Sequence, residues 1–450
     1  YLRLERVNPS YRHMKIGGII AEYNPFHKGH SYQIQEFKRV SSCSHLVVAM
    51  SGNFVQRGGP ALVDKYARAQ MALENGVDLV LEIPSIFAGQ TAEIFARGGL
   101  LSLNSLGCVD SFCFGSEDGS IERLTGLANF IYDQADWIDK RVKDLMKTSL
   151  SYAKAREEAI KEGFRDFDIG EVLGQSNNIL GLEYLKEVKR LGTTMKPVTI
   201  RRKGSSYSSQ DLDGDLPSAS AIRVALLGST TKTRTGQVLG MADSVLSGTD
   251  LDKHLGKAID ESVLDIIKGI MDQGTGLMGD EAFFGEISYI IARESGRLEE
   301  YFEVNGGLDR SIEKHILRSV TMEEAVEALT NKSHTRAKVR RALYNILLGI
   351  RVEDLDQVKH IESLPYIRVL GMTQRGRDIL RMVKEESNIS IVTSPAKSID
   401  SDQYRGNALF RKLLDIDMRT SAIYYQKYYS KNPDLLARGQ ADFFDTRFNF

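Results

Sequence analysis

The chain has 450 residues, 42% hydrophobic and 26% charged, with 59 Lys and Arg against 60 Asp and Glu and a formal net charge of −1. That composition fits a globular protein of two or three domains. No apolar run approaches the roughly 20 residues of a membrane span, and a charge near zero excludes a global basic field, so any nucleic-acid contact must come from a local patch.

Residues 1–13 are polar, contain no secretory apolar region and precede Met14. They read as an upstream or cloning-derived extension outside the fold. Cys43, Cys108 and Cys113 show no CxxC pairing and no metal-ligand spacing, which argues against a disulfide or zinc framework. Cys108 and Cys113 lie in an apolar run, where buried packing is the expected role. The expected compartment is the cytoplasm, with no membrane partner.

Lys15 to Ala21 reads as a buried strand. The turn Phe26-His27-Lys28-Gly29-His30 follows, and then a helix from Ser31 to about Arg39. A strand, a tight His-x-Gly-His turn and a helix together suit a nucleotide phosphate. The helix start offers unpaired N–H groups and a positive dipole end. Gly29 lets backbone come close to a ligand, and two imidazoles can donate to oxygens that gain charge in phosphoryl chemistry. Chance would produce this spacing on the order of 0.01 times in a chain of this composition. The bland alternative is one satisfied turn histidine and one surface histidine.

Further strands are expected at His45–Met50, Asp78–Pro84, Cys108–Phe114 and Lys196–Ile200, with helices between them at Tyr66–Glu74 and Thr91–Leu103. That alternation predicts an α/β fold with a parallel sheet covered on both faces. Ligands then bind at the carboxyl ends of the strands. The loop Ser51–Pro60 emerges there with Asn53, Gln56 and Arg57, groups suited to a phosphate or carboxylate; otherwise it is a long surface loop. Gly115 follows the fourth strand. Gly174 to Tyr184 opens a helix that Ser176 or Asn177 would cap, with Asn178 either a nucleotide contact or part of ordinary capping. Arg201, Arg202 and Lys203 follow the fifth strand, as phosphate ligands or as a solvated charge run. Ser218, Ser220 and Arg223 begin another helix, as a phosphate site or a plain cap.

Gly228–Gly236 reads as a linker. Beyond it the runs are mainly helical: Glu261–Met271, Ala282–Glu294 and Arg336–Leu348, with short strand-like runs at Tyr366–Leu370 and Ile389–Thr393. The stretch Lys332 to Arg341 carries Lys332, Arg336, Lys338, Arg340 and Arg341 and no acid. It reads as a packed helix with a basic outer face, either solvated or set against a phosphate backbone. The expected division is residues 1–13 as extension, 14–228 as catalytic domain and 229–450 as a mainly helical RNA-binding domain.

Five segments in this order resemble the tRNA(Met) cytidine acetate ligase family, members of the nucleotidyltransferase superfamily with the His-x-Gly-His turn. The matching text is GIIAEYNPFHKGH at Gly18–His30, SGNFVQRG at Ser51–Gly58, NNILGLEY at Asn177–Tyr184, Arg201-Arg202, and SASAIR at Ser218–Arg223. The resemblance runs from Met14 to the C-terminus. It departs from the expected pattern at Gly59 and at Gly174-Gln175-Ser176, where only loop detail is at stake. It implies a Rossmann-like nucleotidyltransferase domain followed by a helical one. It implies a ligase that forms acetyl-adenylate from acetate and ATP and then acetylates the 4-amino group of the wobble cytidine in elongator tRNA(Met).

By motif position the resemblance implies ATP contacts at Ile20, Ala21, Glu22, Tyr23, Asn24, Pro25, Phe26, His27, Lys28, Gly29, His30, Ser31, Tyr32, Gln33, Gly115, Asn178, Arg201 and Arg202. His27 and His30 are the expected catalytic pair. Asn53, Gln56, Arg57, Ser220 and Arg223 are further phosphate or acetate candidates. Lys332, Arg336, Lys338, Arg340 and Arg341 are the tRNA candidates. Mg²⁺ is expected on the phosphates, with no protein metal centre. Two other classes compete. A cofactor-synthesis adenylyltransferase would need neither the basic helix nor the long C-terminal half. A non-catalytic RNA-binding protein would not need His27, Gly29 and His30 intact.

Overall fold

Val47, Val48 and Ala49 alternate between two apolar layers, and that alternation sets up the sheet. Leu46, Val48 and Met50 face a layer with Ile34 and Phe37. Val47 and Ala49 face the opposite layer with Phe95 and Leu100. A strand buried on both faces reads as one continuous apolar run. The computed structural model describes residues 11, 13–148, 150–166, 169–202, 218–227, 255–273 and 275–430. The expected linker, together with Lys203 and Gly204, lies outside those residues.

Five parallel strands come first: β1 (Ile16–Ala21), β2 (His45–Ser51), β3 (Leu79–Ile83), β4 (Ser111–Ser116) and β5 (Lys196–Arg201). β6 (Tyr366–Met372) pairs antiparallel with β3, and β7 (Ser390–Val392) pairs parallel with β6. The order across the sheet is β5-β4-β1-β2-β3-β6-β7. The expected boundary at 228/229 therefore does not bound the sheet, because its last two strands come from the later half of the chain. Alternation along the chain can suggest a strand but not its neighbour, and β6 is held by β3 across nearly 300 residues.

Two adjacent glycines let helices close on both faces of β1. A Cβ on Gly17 would lie 2.7 Å from Phe37, and one on Gly18 would lie 2.7 Å from Leu103. Tyr11, set apart as extension by the sequence, packs on the core and donates its hydroxyl to Glu385 at 2.8 Å. All three cysteines are free, with Cys108 and Cys113 buried.

A buried polar cluster ties the C-terminal helix Ala408–Tyr428 to the sheet. Lys65 donates to both carboxylate oxygens of Glu82, at 3.1 and 3.0 Å, and to Ser421 at 2.8 Å. Arg368 on β6 pairs with Glu82 at 3.1 Å. Tyr366 donates to Asp417 at 2.7 Å, and the Ser85 amide donates to the other oxygen of that carboxylate. Buried charges persist only when matched in this way.

Candidate active site

The carboxyl ends of the parallel strands open into a cavity of about 650 Å³. β1 ends among its lining residues Ile20 to Asn24, and the Lys28–Ser41 helix supplies Gly29, His30, Tyr32 and Gln33, with His27 just before it. This helix starts three residues earlier than the sequence suggests, because its cap is an imidazole rather than one of the usual short polar side chains. His27 Nδ1 accepts from the Gly29 amide at 3.0 Å, and His30 Nδ1 accepts from the His27 amide at 3.2 Å. This is a reciprocal capping box built from two histidines.

That box fixes the chemistry of both rings. A neutral imidazole whose Nδ1 accepts a hydrogen bond carries its proton on Nε2. The rings stack 3.8 Å apart with their planes 26° from parallel. Burial, then the charges of Arg202 and Arg223, pushes His27 down to about 3. Burial, then His27 and Arg202, holds His30 well below its ordinary range. Both are thus neutral donors at physiological pH. Tyr23 and Phe26 support His30, with ring centroids 4.8 and 5.4 Å away.

On the β4–β5 flank the lining includes Phe114, Gly115, Ser176, Asn177, Arg201 and Arg202. Asn177 Oδ1 accepts from Arg202 at 3.4 Å. The capping expectation for Ser176 or Asn177 fails: the cap position is Gln175, without a side-chain bond. Asn178 is not on the lining. It is 2% exposed and its Oδ1 accepts from the Glu117 and Asp118 amides at 2.9 and 3.0 Å, so it fixes the turn after β4. Ser218 caps the Ala219–Leu227 helix through the Ala221 amide at 3.1 Å. Arg223 reaches the wall by donating to Asn24 O at 2.8 Å and to Ser220 at 3.0 Å.

On the β2 flank Gln56 and Arg57 line the cavity. Asn53 does not; it is buried, and its Oδ1 accepts from the Lys65 amide at 2.8 Å. Pro25, Phe26, Lys28 and Ser31 also leave the lining. Phe26 is core, Lys28 donates to Gly256 O at 2.6 Å and Ser31 to Asp260 at 2.6 Å. Arg68, given no role by the sequence reading, is fully buried behind this flank. It donates to Glu22 O at 2.7 Å, Ser51 O at 3.1 Å and Val63 O at 3.2 Å, and also to Gly52 O. It thereby clamps the ends of β1 and β2.

The basic helix Arg336–Leu348 docks onto the same rim. Arg340 donates to Gly58 O at 3.1 and 2.8 Å, and Thr335, Ala337 and Arg341 join the cavity wall. The lack of acids nearby in sequence is made good in space. Arg336 pairs with Glu323, Arg340 with Asp280 and Arg341 with Glu303. Lys338 donates to Asn305 at 2.7 Å, while Lys332 is exposed. Among the lining residues that the sequence reading did not single out, Thr91 and Phe95 sit at the cap and in the first turns of an ordinary helix and carry no local motif, whereas Leu180 and Tyr184 fall within the NNILGLEY segment and Thr335 within the basic stretch.

Residues 14–437 match the family model described as HIGH Nucleotidyl Transferase. A Thermoanaerobacter pseudethanolicus protein named tRNA(Met) cytidine acetate ligase is 36% identical over 415 residues, covering 92% of this chain and 96% of the relative. An Acetivibrio thermocellus protein of the same name is 33% identical over 429 residues, covering 95% and 98%. Among solved structures, Thermotoga maritima TmcAL bound with alpha-thio ATP superposes with a TM-score of 0.82 at 28% identity, over 96% of this chain and 98% of that one. The apo form of TmcAL gives 0.85 at 27% identity, over 97% and 99%.

Proposed function

The chain belongs to the HIGH nucleotidyl transferases and, within them, to the tRNA(Met) cytidine acetate ligases, and from that premise we propose that it acetylates its tRNA in two steps. Acetate oxygen attacks the α-phosphate of ATP in line and displaces pyrophosphate, leaving acetyl-adenylate. The acetyl group then passes to the 4-amino group of the wobble cytidine in elongator tRNA(Met), giving N4-acetylcytidine.

The observation that carries this reading is the locked histidine pair. Displacement at phosphorus leaves a protein mainly positioning and charge stabilisation to do. His27 and His30 present Nε2–H donors whose neutrality is enforced by burial and nearby arginines. A neutral donor can stabilise charge that develops on phosphate oxygens without binding the ground-state triphosphate too tightly. Arg201, Arg202 and Arg223 line the same cavity and would hold the triphosphate. Mg²⁺ would arrive on the phosphates, as is usual for this ion; the wall supplies one carboxylate, Glu22, among the described lining residues. The partly apolar wall formed by Phe95, Phe114 and Leu180 would shield an adenylate that water destroys. An anticodon loop offers the cytidine as an unpaired base, the usual target of sequence-specific RNA readers.

The test is acetate-dependent ATP–pyrophosphate exchange without tRNA, followed by transfer of labelled acetate to tRNA. Exchange without any tRNA product would favour a small-molecule adenylyltransferase. No exchange at all would overturn the two-step reading.

A further inference from the structure

Acyl transfer to an exocyclic amine needs a proton acceptor. As the N–C bond forms, the C–O bond to the adenylate breaks, AMP leaves with the electron pair, and the nitrogen must shed a proton. Few groups on the cavity wall can take it. Each histidine has its Nδ1 occupied by a backbone amide and its Nε2 already protonated. Arginines stay charged. Burial keeps the phenols of Tyr23 and Tyr184 protonated. Among the described lining residues Glu22 is the one carboxylate.

Glu22 is also held ready. Arg68 grips its carbonyl at 2.7 Å, and the Gln56 amide donates to its Oε1 at 2.7 Å. Among the described residues no hydrogen bond ends on its Oε2. The Gln56 bond turns the carboxylate at the end of β1 toward the β2 flank, whereas Arg201 and Arg202 lie at the end of β5, with β4 between. Triphosphate on one side and acceptor amine on the other is the arrangement that two successive substrates require. We propose that Glu22 accepts the proton of the cytidine amine in the acetyl-transfer step, an assignment that rests on the two-step reaction above.

Glu22→Gln keeps the size of the side chain and an oxygen for the Gln56 amide while removing its basicity. The expected result is that acetyl transfer at saturating tRNA falls by about a hundredfold or more, while acetate-dependent exchange falls far less. Hydroxylamine, a strong nucleophile, should still capture the acetyl group as acetohydroxamate. Glu22→Asp should recover part of the transfer missing in Glu22→Gln, and tRNA affinity measured by filter binding should hold within about twofold. Equal losses of exchange and transfer would overturn the assignment and make Glu22 a ligand of ATP, acetate or Mg²⁺. Full transfer in Glu22→Gln would remove it from the reaction. Absence of exchange in the unmodified chain would instead refute the two-step reaction itself.

Discussion

Arg341 and Glu303 form a bidentate ion pair at the cavity wall, with Nε to Oε2 at 2.5 Å and Nη2 to Oε1 at 2.8 Å. The pair is nearly buried, at 11% and 9% side-chain exposure. Removing one partner strands the other, so Arg341→Ala should cost about 3 kcal/mol. Urea denaturation checks this, and an unchanged midpoint would show the pair to be inconsequential.

We propose that, of the basic stretch Lys332 to Arg341, the cations nearer solvent are the ones that meet RNA. Lys332 and Arg336 are exposed, and Arg336 pairs with a surface glutamate, Glu323. Changing both to alanine should lower the slope of log affinity against log salt by about 0.7–0.9 for each RNA phosphate that they neutralise. An unaltered slope would move the tRNA surface away from this helix.

The histidine pair makes an acid prediction. His27 titrates at about 3 in the folded chain against an ordinary 6.5. Between those values the unfolded chain binds more protons, so stability rises with pH across that window and is lost on acidification. Above about pH 7 this contribution is constant. Urea midpoints at pH 7 and pH 5 should differ less in His27→Gln than in the unmodified chain. Exchange activity should show no imidazole limb between pH 6 and 8.

Gly29 is constrained by its neighbour rather than by its own backbone. A Cβ there would lie 2.7 Å from Cε1 of the His27 ring and 2.9 Å from its Nδ1. Gly29→Ala should displace the ring and lower exchange by about a hundredfold, the usual cost of one missing transition-state donor. A wild-type rate constant would mean that His27 tolerates the shift.

The Lys65–Glu82–Arg368 cluster tests the join between the two halves of the chain. Lys65 and Glu82 are 0% and 1% exposed. Lys65→Met should destabilise the whole fold by about 3 kcal/mol. Loss of the C-terminal helix alone, with the sheet intact, would show that the halves unfold separately.

Much of this architecture is legible in the sequence, because buried parallel strands are continuous apolar runs. β1, β2, β3 and β5 fall within a residue or two of their expected bounds. β4 starts later than its apolar run: Cys108 and Val109 are buried, but pairing begins at Ser111. The histidine turn is legible because its spacing is rare. Arg68's role is not, since its work is to bridge the carbonyls of Glu22, Ser51, Gly52 and Val63, from three separate places in the chain. The pairing of Arg340 with Asp280 and Arg341 with Glu303 is likewise hidden, because charge compensation depends on neighbours in space. Asn178 shows the converse: its motif position points at the ligand, while its Oδ1 is spent on the backbone of the next turn.

The antiparallel seam between β3 and β6 also has a consequence during synthesis. Residues up to β5 emerge from the ribosome with the β3 edge bare, and a bare edge is a template for pairing with another chain. The strand that covers it arrives only with Tyr366–Met372. Nascent chains halted before that point should therefore recruit holdase chaperones or aggregate, and those that also carry the Ala408–Tyr428 helix should not.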